Sequence, residues 1–243
     1  ALHCAAEECD TDGVELLLAR GAPIGATDAQ GLQAVHLAAR GRGTGNGPDT
    51  SGAPALRALL RHGADVHAAD GAGWRPVHRA ANALMADTLE VLLEHGANVG
   101  APAAGGERPL HLVAASLYVE PHGAACIDVL LRRGADINAA DPAGRMALHY
   151  AAARLRTDRT RHLLARGADA GAADARGLQA FHLAAQAGAD NSGSYQCLAA
   201  LFEHSHAAIN SSNARADELE ALATKHYNAA KRAATEALVA VAG

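Results

Sequence analysis

One unit recurs six times along this chain, and that recurrence restricts the possible fold more than any other feature. An apolar residue, a histidine and a short alanine-rich stretch return at His3, His36, His78, His111, His149 and His182. The intervals between these histidines are 33, 42, 33, 38 and 33 residues. A leucine pair and a Gly-Ala turn follow in step: Leu17-Leu18 before Gly21, Leu59-Leu60 before Gly63, Leu92-Leu93 before Gly96, Leu130-Leu131 before Gly134 and Leu163-Leu164 before Gly167. An Asp-x-x-Gly signal opens the next unit at Asp28, Asp70, Asp141 and Asp174. A unit this short cannot bury its own apolar face, so neighbouring units must stack to make a core.

Composition says what that core is made of. Hydrophobic residues are 49% of the 243, but aromatic residues only 3%. Alanine, leucine and valine carry the burial, and small residues suit helices that pack closely. Each unit therefore reads as a short Ala-rich helix followed by a second helix bearing the leucine pair. The glycine after each leucine pair falls where a left-handed residue ends a helix. The expected fold class is all-α, a solenoid of stacked helix-turn-helix repeats.

These signals resemble the ankyrin-repeat family, whose repeat of about 33 residues carries T-P-L-H-x-A at its first helix. The likeness runs through about residues 1–210; the Thr-Pro pair is mostly lost, with proline kept at Pro76 and Pro109. It implies short β-hairpin-like connections and six repeats at about 1–27, 28–69, 70–102, 103–140, 141–173 and 174–213. It also implies that the six repeated histidines tether turns to helices. The tail, 214–243, leaves the repeat and reads as a C-terminal helical cap, from its helical spacing of Leu219, Leu222, Ala230, Ala233 and Ala237. The chain opens inside a repeat, so a preceding repeat or domain is expected.

Three repeats are longer between their two helices, with extra residues at 41–53, 118–123 and 188–194. These loops are expected to leave the stack on the side away from the hairpins.

Sites with their own chemistry are scarce. Beyond the repeat histidines, the other eight of the 14 are scattered, and His204 and His206 do not share a helix face. Asp10-Thr11-Asp12-Gly13 lacks the later ligands of a calcium loop. The glycines of 41–47 precede no Lys-Ser or Lys-Thr, so no phosphate loop is read there. Neither a nucleophile elbow nor a metal-ligand spacing is present, and no enzyme, cofactor or metal is expected. A net charge of −5 argues against a nucleic-acid partner. Cys4, Cys9, Cys126 and Cys197 read as reduced thiols of an intracellular, most simply cytoplasmic, protein with no membrane span.

The resemblance implies partner contacts in two rows, just before the first helix and just after its alanines. The first row is Leu32, Trp74, Glu107, Arg145 and Leu178; the second is Arg40, Asn82, Ser116, Arg154 and Gln186. Trp74 is the one tryptophan, and Arg79, after His78, is expected to stack on it and to be a further partner contact. Residues 145–166 hold six arginines (145, 154, 156, 159, 161 and 166) against the single acid Asp158, which suits an acidic or phosphorylated segment. The expected function is a monomeric scaffold or adaptor binding another protein through the concave surface. Two alternatives stay open: a regulatory or targeting module of a larger enzyme or channel, and a small-ligand or catalytic solenoid using the inserted loops.

Overall fold

The computed structural model describes residues 1–41, 51–118, 122–187 and 196–204. The expected cap at 214–243, the whole of the third insertion, most of the first and the middle of the second lie outside the described residues. The chain divides into two compact units, Ala1–Asp136 and Ile137–Gly243.

The first unit contains four helix pairs. The short first helices are α1 (Leu2–Glu7), α3 (Ala34–Arg40), α5 (Pro76–Asn82) and α7 (Pro109–Ala115). Their partners are α2 (Thr11–Ala19), α4 (Ala53–Arg61), α6 (Ala86–Glu94) and α8 (His122–Arg132). First helices pack on first helices and second on second, while each pair packs on itself. In the second unit α9 (Ala147–Ala153) packs against α10 (Thr157–Ala165) and α11 (Ala180–Ala187). A helical segment, residues 196–204, follows α11, and its buried Cys197 Sγ lies 3.5 Å from the Thr160 hydroxyl of α10.

Close approach depends on the alanines. Ala6, Ala38, Ala39, Ala80, Ala81, Ala114, Ala151, Ala152 and Ala184 are all fully buried. The first leucine of four of the pairs, Leu59, Leu92, Leu130 and Leu163, is fully buried as well. At roughly 25 cal/mol per Å² of apolar area, these leucines supply much of what holds tier to tier. On the exposed side of the second helices, Glu15 of α2 pairs at 2.6 Å with Arg61, the last residue of α4, and at 2.8 Å with His62 just after it. Glu90 of α6 likewise takes Arg132, the last residue of α8, at 2.8 Å and Arg133 just after it at 2.7 Å. Such exposed pairs contribute little individually.

The helix-ending glycines adopt the expected left-handed backbone, with φ from 80° at Gly21 to 89° at Gly63 and Gly134. The equivalent bend between first and second helices has no glycine in the three 33-residue repeats. Cys9, Leu84 and Leu155 adopt φ of 57°, 58° and 52° there. A β-carbon in this conformation costs roughly 1–2 kcal/mol. Leu84 offsets that cost by burial, at 3% exposure, whereas Cys9 is only half-buried. In the second repeat the bend is widened, yet its two ends meet closely. A β-carbon at Gly52 would lie 1.8 Å from the Ala38 carbonyl oxygen and 3.4 Å from Gly41 Cα.

Two outcomes follow from this local geometry. Cys9→Gly is expected to raise stability by about 0.5–1 kcal/mol, whereas Leu84→Gly loses about 2 kcal/mol because lost burial outweighs relieved strain. Gly52→Ala is expected to cost about 2 kcal/mol or more through forced displacement of the α3 end. Urea denaturation followed by circular dichroism measures all three. Equal effects of Cys9→Gly and Leu84→Gly would contradict this balance of strain and burial.

Candidate protein-binding surface

The first row of contact positions, Glu107 excepted, is built on clamped turns, and the second row lies at the ends of the first helices. In the Asp-x-x-Gly turns the aspartate Oδ1 accepts two backbone N–H groups, from the residues two and four further on. Asp28 takes Gln30 and Leu32, both at 2.8 Å; Asp70 takes Ala72 and Trp74, both at 2.9 Å. Asp141 takes Ala143 and Arg145, both at 2.8 Å, and Asp174 takes Arg176 at 2.8 Å and Leu178 at 2.9 Å. Each aspartate N–H donates in return to the carbonyl of the last of these residues. The first-row residue is therefore held at both its N–H and its C=O. The β-like character of these connections comes from this side-chain clamp; among the described residues strand pairing is limited to one bridge, Ala173 to Gln179.

Histidines complete the tether. Nδ1 of His36, His78, His111, His149 and His182 accepts the backbone N–H three residues earlier, at 3.0–3.1 Å. An N–H can only donate, so Nδ1 carries no proton and the proton sits on Nε2. That Nε2–H donates to a carbonyl of the next turn: Ala68 from His36 at 3.0 Å, Ala101 from His78 at 2.9 Å and Leu178 from His149 at 3.2 Å. His3 reaches the Leu32 carbonyl at 2.9 Å. Burial pushes His36, His78 and His149 below the ordinary imidazole value, outweighing the acceptor carbonyls.

In the first unit the contact positions differ in what they present. Leu32 is 6% exposed, so its side chain belongs to the core and leaves the row. Trp74 is half-buried, with its ring centroid 6.4 Å from that of His78. The Arg79 guanidinium carbon lies 5.1 Å from the indole centroid, the stacking expected from the sequence. Arg79 Nε also donates to Asp70 Oδ2 at 2.9 Å, with Nη2 on the same oxygen. Burial works to raise the Asp70 pKa, but Arg79 and the amides of Trp74 and Ala72 together hold it below the usual carboxylate value. Glu107 is half-buried and folds back over Gly105. Arg40 pairs with Glu7 at 2.6 Å, both well exposed. Asn82 is half-buried and its carbonyl accepts the Ser116 hydroxyl at 2.7 Å; Ser116 itself is buried.

In the second unit Arg145 lies over the Tyr150 ring, 4.7 Å from its centroid. Its Nε donates to Asp141 Oδ2 at 2.9 Å and its Nη2 to the Tyr150 hydroxyl at 2.8 Å, while that hydroxyl donates to Asp141 at 2.7 Å. Asp141 too stays below the usual value, because the Tyr150 hydroxyl and the Arg145 amide and guanidinium outweigh its burial. Arg154 and Gln186 are exposed, and Leu178 is half-buried. Of the six arginines in 145–166, Arg159 is fully buried, while Arg154, Arg161 and Arg166 are exposed. Sequence reasoning missed Asp70, Asp141 and Tyr150. The signal was present, since in both repeats the positions four and nine residues after the aspartate hold one arginine and one aromatic residue between them.

Among the described residues no group of three or more His, Cys, Asp or Glu side chains could hold a metal ion, and no helix is long and apolar enough to cross a membrane. What remains is a helical-repeat module whose first-helix side carries clamped, chemically varied side chains. The family model for ankyrin repeats matches residues 2–103, 50–141 and 110–213. The chain belongs to the ankyrin-repeat family, whose members are in general protein-interaction modules and typically non-catalytic. Among solved structures it is similar to the human ASB11 ankyrin repeat domain, with TM-score 0.69 and 22% identity over 84% of this chain and 82% of that chain. A likeness at that identity supports the fold alone. No curated protein matches the chain.

The tethers give a pH profile with two steps. A histidine with its pKa depressed on folding contributes stability that is present above the unfolded value of about 6.5 and lost as pH falls below it. The depressed turn aspartates contribute above about 3.8 and lose that contribution only at lower pH. Melting temperature is expected to fall between pH 7.5 and 5.5, then again below pH 4, on scales set by those two values. A flat profile from pH 7.5 to 5.5 would contradict the neutral-histidine clamp.

Proposed function

We propose that this chain is a scaffold or adaptor that binds another protein through the first-helix side of its repeats, acting as an intracellular monomer without metal or cofactor. Trp74 is the anchor in the first unit. One observation carries this reading: a half-buried indole whose backbone is clamped by Asp70 and whose face is stacked by Arg79. Interfaces draw most of their energy from a few tryptophan, tyrosine and arginine anchors, and a side chain ordered before binding costs less to immobilise. Arg40, Asn82 and Glu107 flank it as polar contacts of the first unit. In the second unit Arg145, Arg154, Leu178 and Gln186 are the contact positions, with Arg154 placed for an acidic or phosphorylated residue. Arg154 is exposed at the end of α9, which suits long-range attraction more than tight burial.

Affinity capture from the source cell, quantified by mass spectrometry, compares the wild-type chain with Trp74→Ala and Arg154→Glu. Trp74→Ala is expected to weaken the principal partner by at least about tenfold, an effect of about 1.4 kcal/mol. Arg154→Glu is expected to slow association and flatten its salt dependence. Retention of every partner by a correctly folded Trp74→Ala chain overturns the reading.

A further inference from the structure

The third and fifth repeats contain the same three-part knot with two of its parts exchanged. A shift of 71 residues carries Asp70, Trp74 and Arg79 onto Asp141, Arg145 and Tyr150. In both repeats the aspartate side chain is almost wholly buried, at 0% and 1% exposure. Both clamp the same backbone N–H with Oδ1 and grip a guanidinium with Oδ2. Both place that guanidinium over an aromatic ring, at 5.1 and 4.7 Å. In the third repeat the turn supplies the aromatic ring and the helix the cation. In the fifth the turn supplies the cation and the helix the aromatic ring.

We propose that positions 74 and 79, and likewise 145 and 150, form one exchangeable recognition unit in which the helix residue positions the turn residue for contact. The chemistry that survives the exchange is the requirement. Buried Asp70 and Asp141 each need a cation within reach, because an unpaired buried carboxylate is costly. The cation needs an aromatic face to lie against, and either position satisfies both demands. Each knot is close to neutral, since its arginine is matched by its aspartate. Arg79 is therefore a positioning residue for Trp74, and Tyr150 for Arg145. The turn residue decides what is shown: an indole in the first unit, a guanidinium in the second. This last step rests on the adaptor reading; the knot itself does not.

A double-mutant cycle on the full chain tests the exchange. Trp74→Arg and Arg79→Tyr are each expected to raise the unfolding equilibrium constant by about tenfold or more, measured by urea denaturation. The double variant, which gives the third repeat the fifth repeat's residues, is expected to return within about threefold of wild type. Losses that simply multiply overturn the proposal. A second measurement uses Trp74 as the chain's single tryptophan. Arg79→Gln is expected to raise acrylamide quenching of its fluorescence, and Arg79→Lys to restore part of the protection. Unchanged quenching in Arg79→Gln overturns the positioning role. Partner binding separates the two readings. A stable double variant that loses the first unit's partner supports both. One that keeps the partner sinks the tryptophan anchor and leaves the knot intact.

Discussion

A ring nitrogen that accepts a backbone N–H cannot hold a proton, and most of this architecture hangs on that exclusion. Nδ1 of each clamped histidine caps its own helix, which forces the proton to Nε2 and aims it at a carbonyl of the following turn. One neutral imidazole thus fixes a helix start and ties it to the next tier. The residue cannot be replaced by a group that only donates or only accepts. The turns that begin at Asp28, Asp70 and Asp174, next to the carbonyls that His3, His36 and His149 reach, are closed separately by an aspartate, whereas the turn beyond His78 begins at Ala103 and is closed by backbone alone. Stacked alanines then allow the close approach that burial of the leucines requires.

Much of this was legible because repetition turns one sequence into its own alignment. The left-handed glycines stood at one position per repeat, and the structure gives them φ near 80–89°. The stacking of Arg79 on Trp74 was legible because both depart from their columns. Reading failed where columns were compared by residue type instead of chemical role. Arg145 stands out in the sequence only as a contact position and Tyr150 not at all, although together they reproduce Trp74 and Arg79. The resemblance places Leu32 in the contact row, yet its side chain is buried.

Charge counting failed for a related reason. Six arginines in 145–166 suggested one basic face, but burial follows helical phase, not chain order. Arg159 occupies the third position of its second helix, where the earlier 33-residue repeats carry Gly13 and Thr88. Thr88 and Arg159 are both buried there. Arg145 is matched by Asp141. Two of the six are therefore spent on the architecture, Arg156 is half-buried, and the exposed cations on this stretch are Arg154, Arg161 and Arg166.

The neutral knots also explain how a surface can be rigid without being inert. An arginine side chain free in solvent loses about 2 kcal/mol of rotamer entropy when a partner immobilises it. Arg79 and Arg145 have already lost most of that freedom on folding, with 26% and 38% of their side chains exposed. The buried carboxylate makes the loss favourable, because its own desolvation is relieved by the same guanidinium. On the proposed reading, the indole of the third repeat and the guanidinium of the fifth are each already ordered when a partner arrives. Exchanging aromatic and cation changes the chemistry of that face while leaving its scaffold unchanged, so a repeat protein can vary specificity without disturbing the clamp that holds its tiers together.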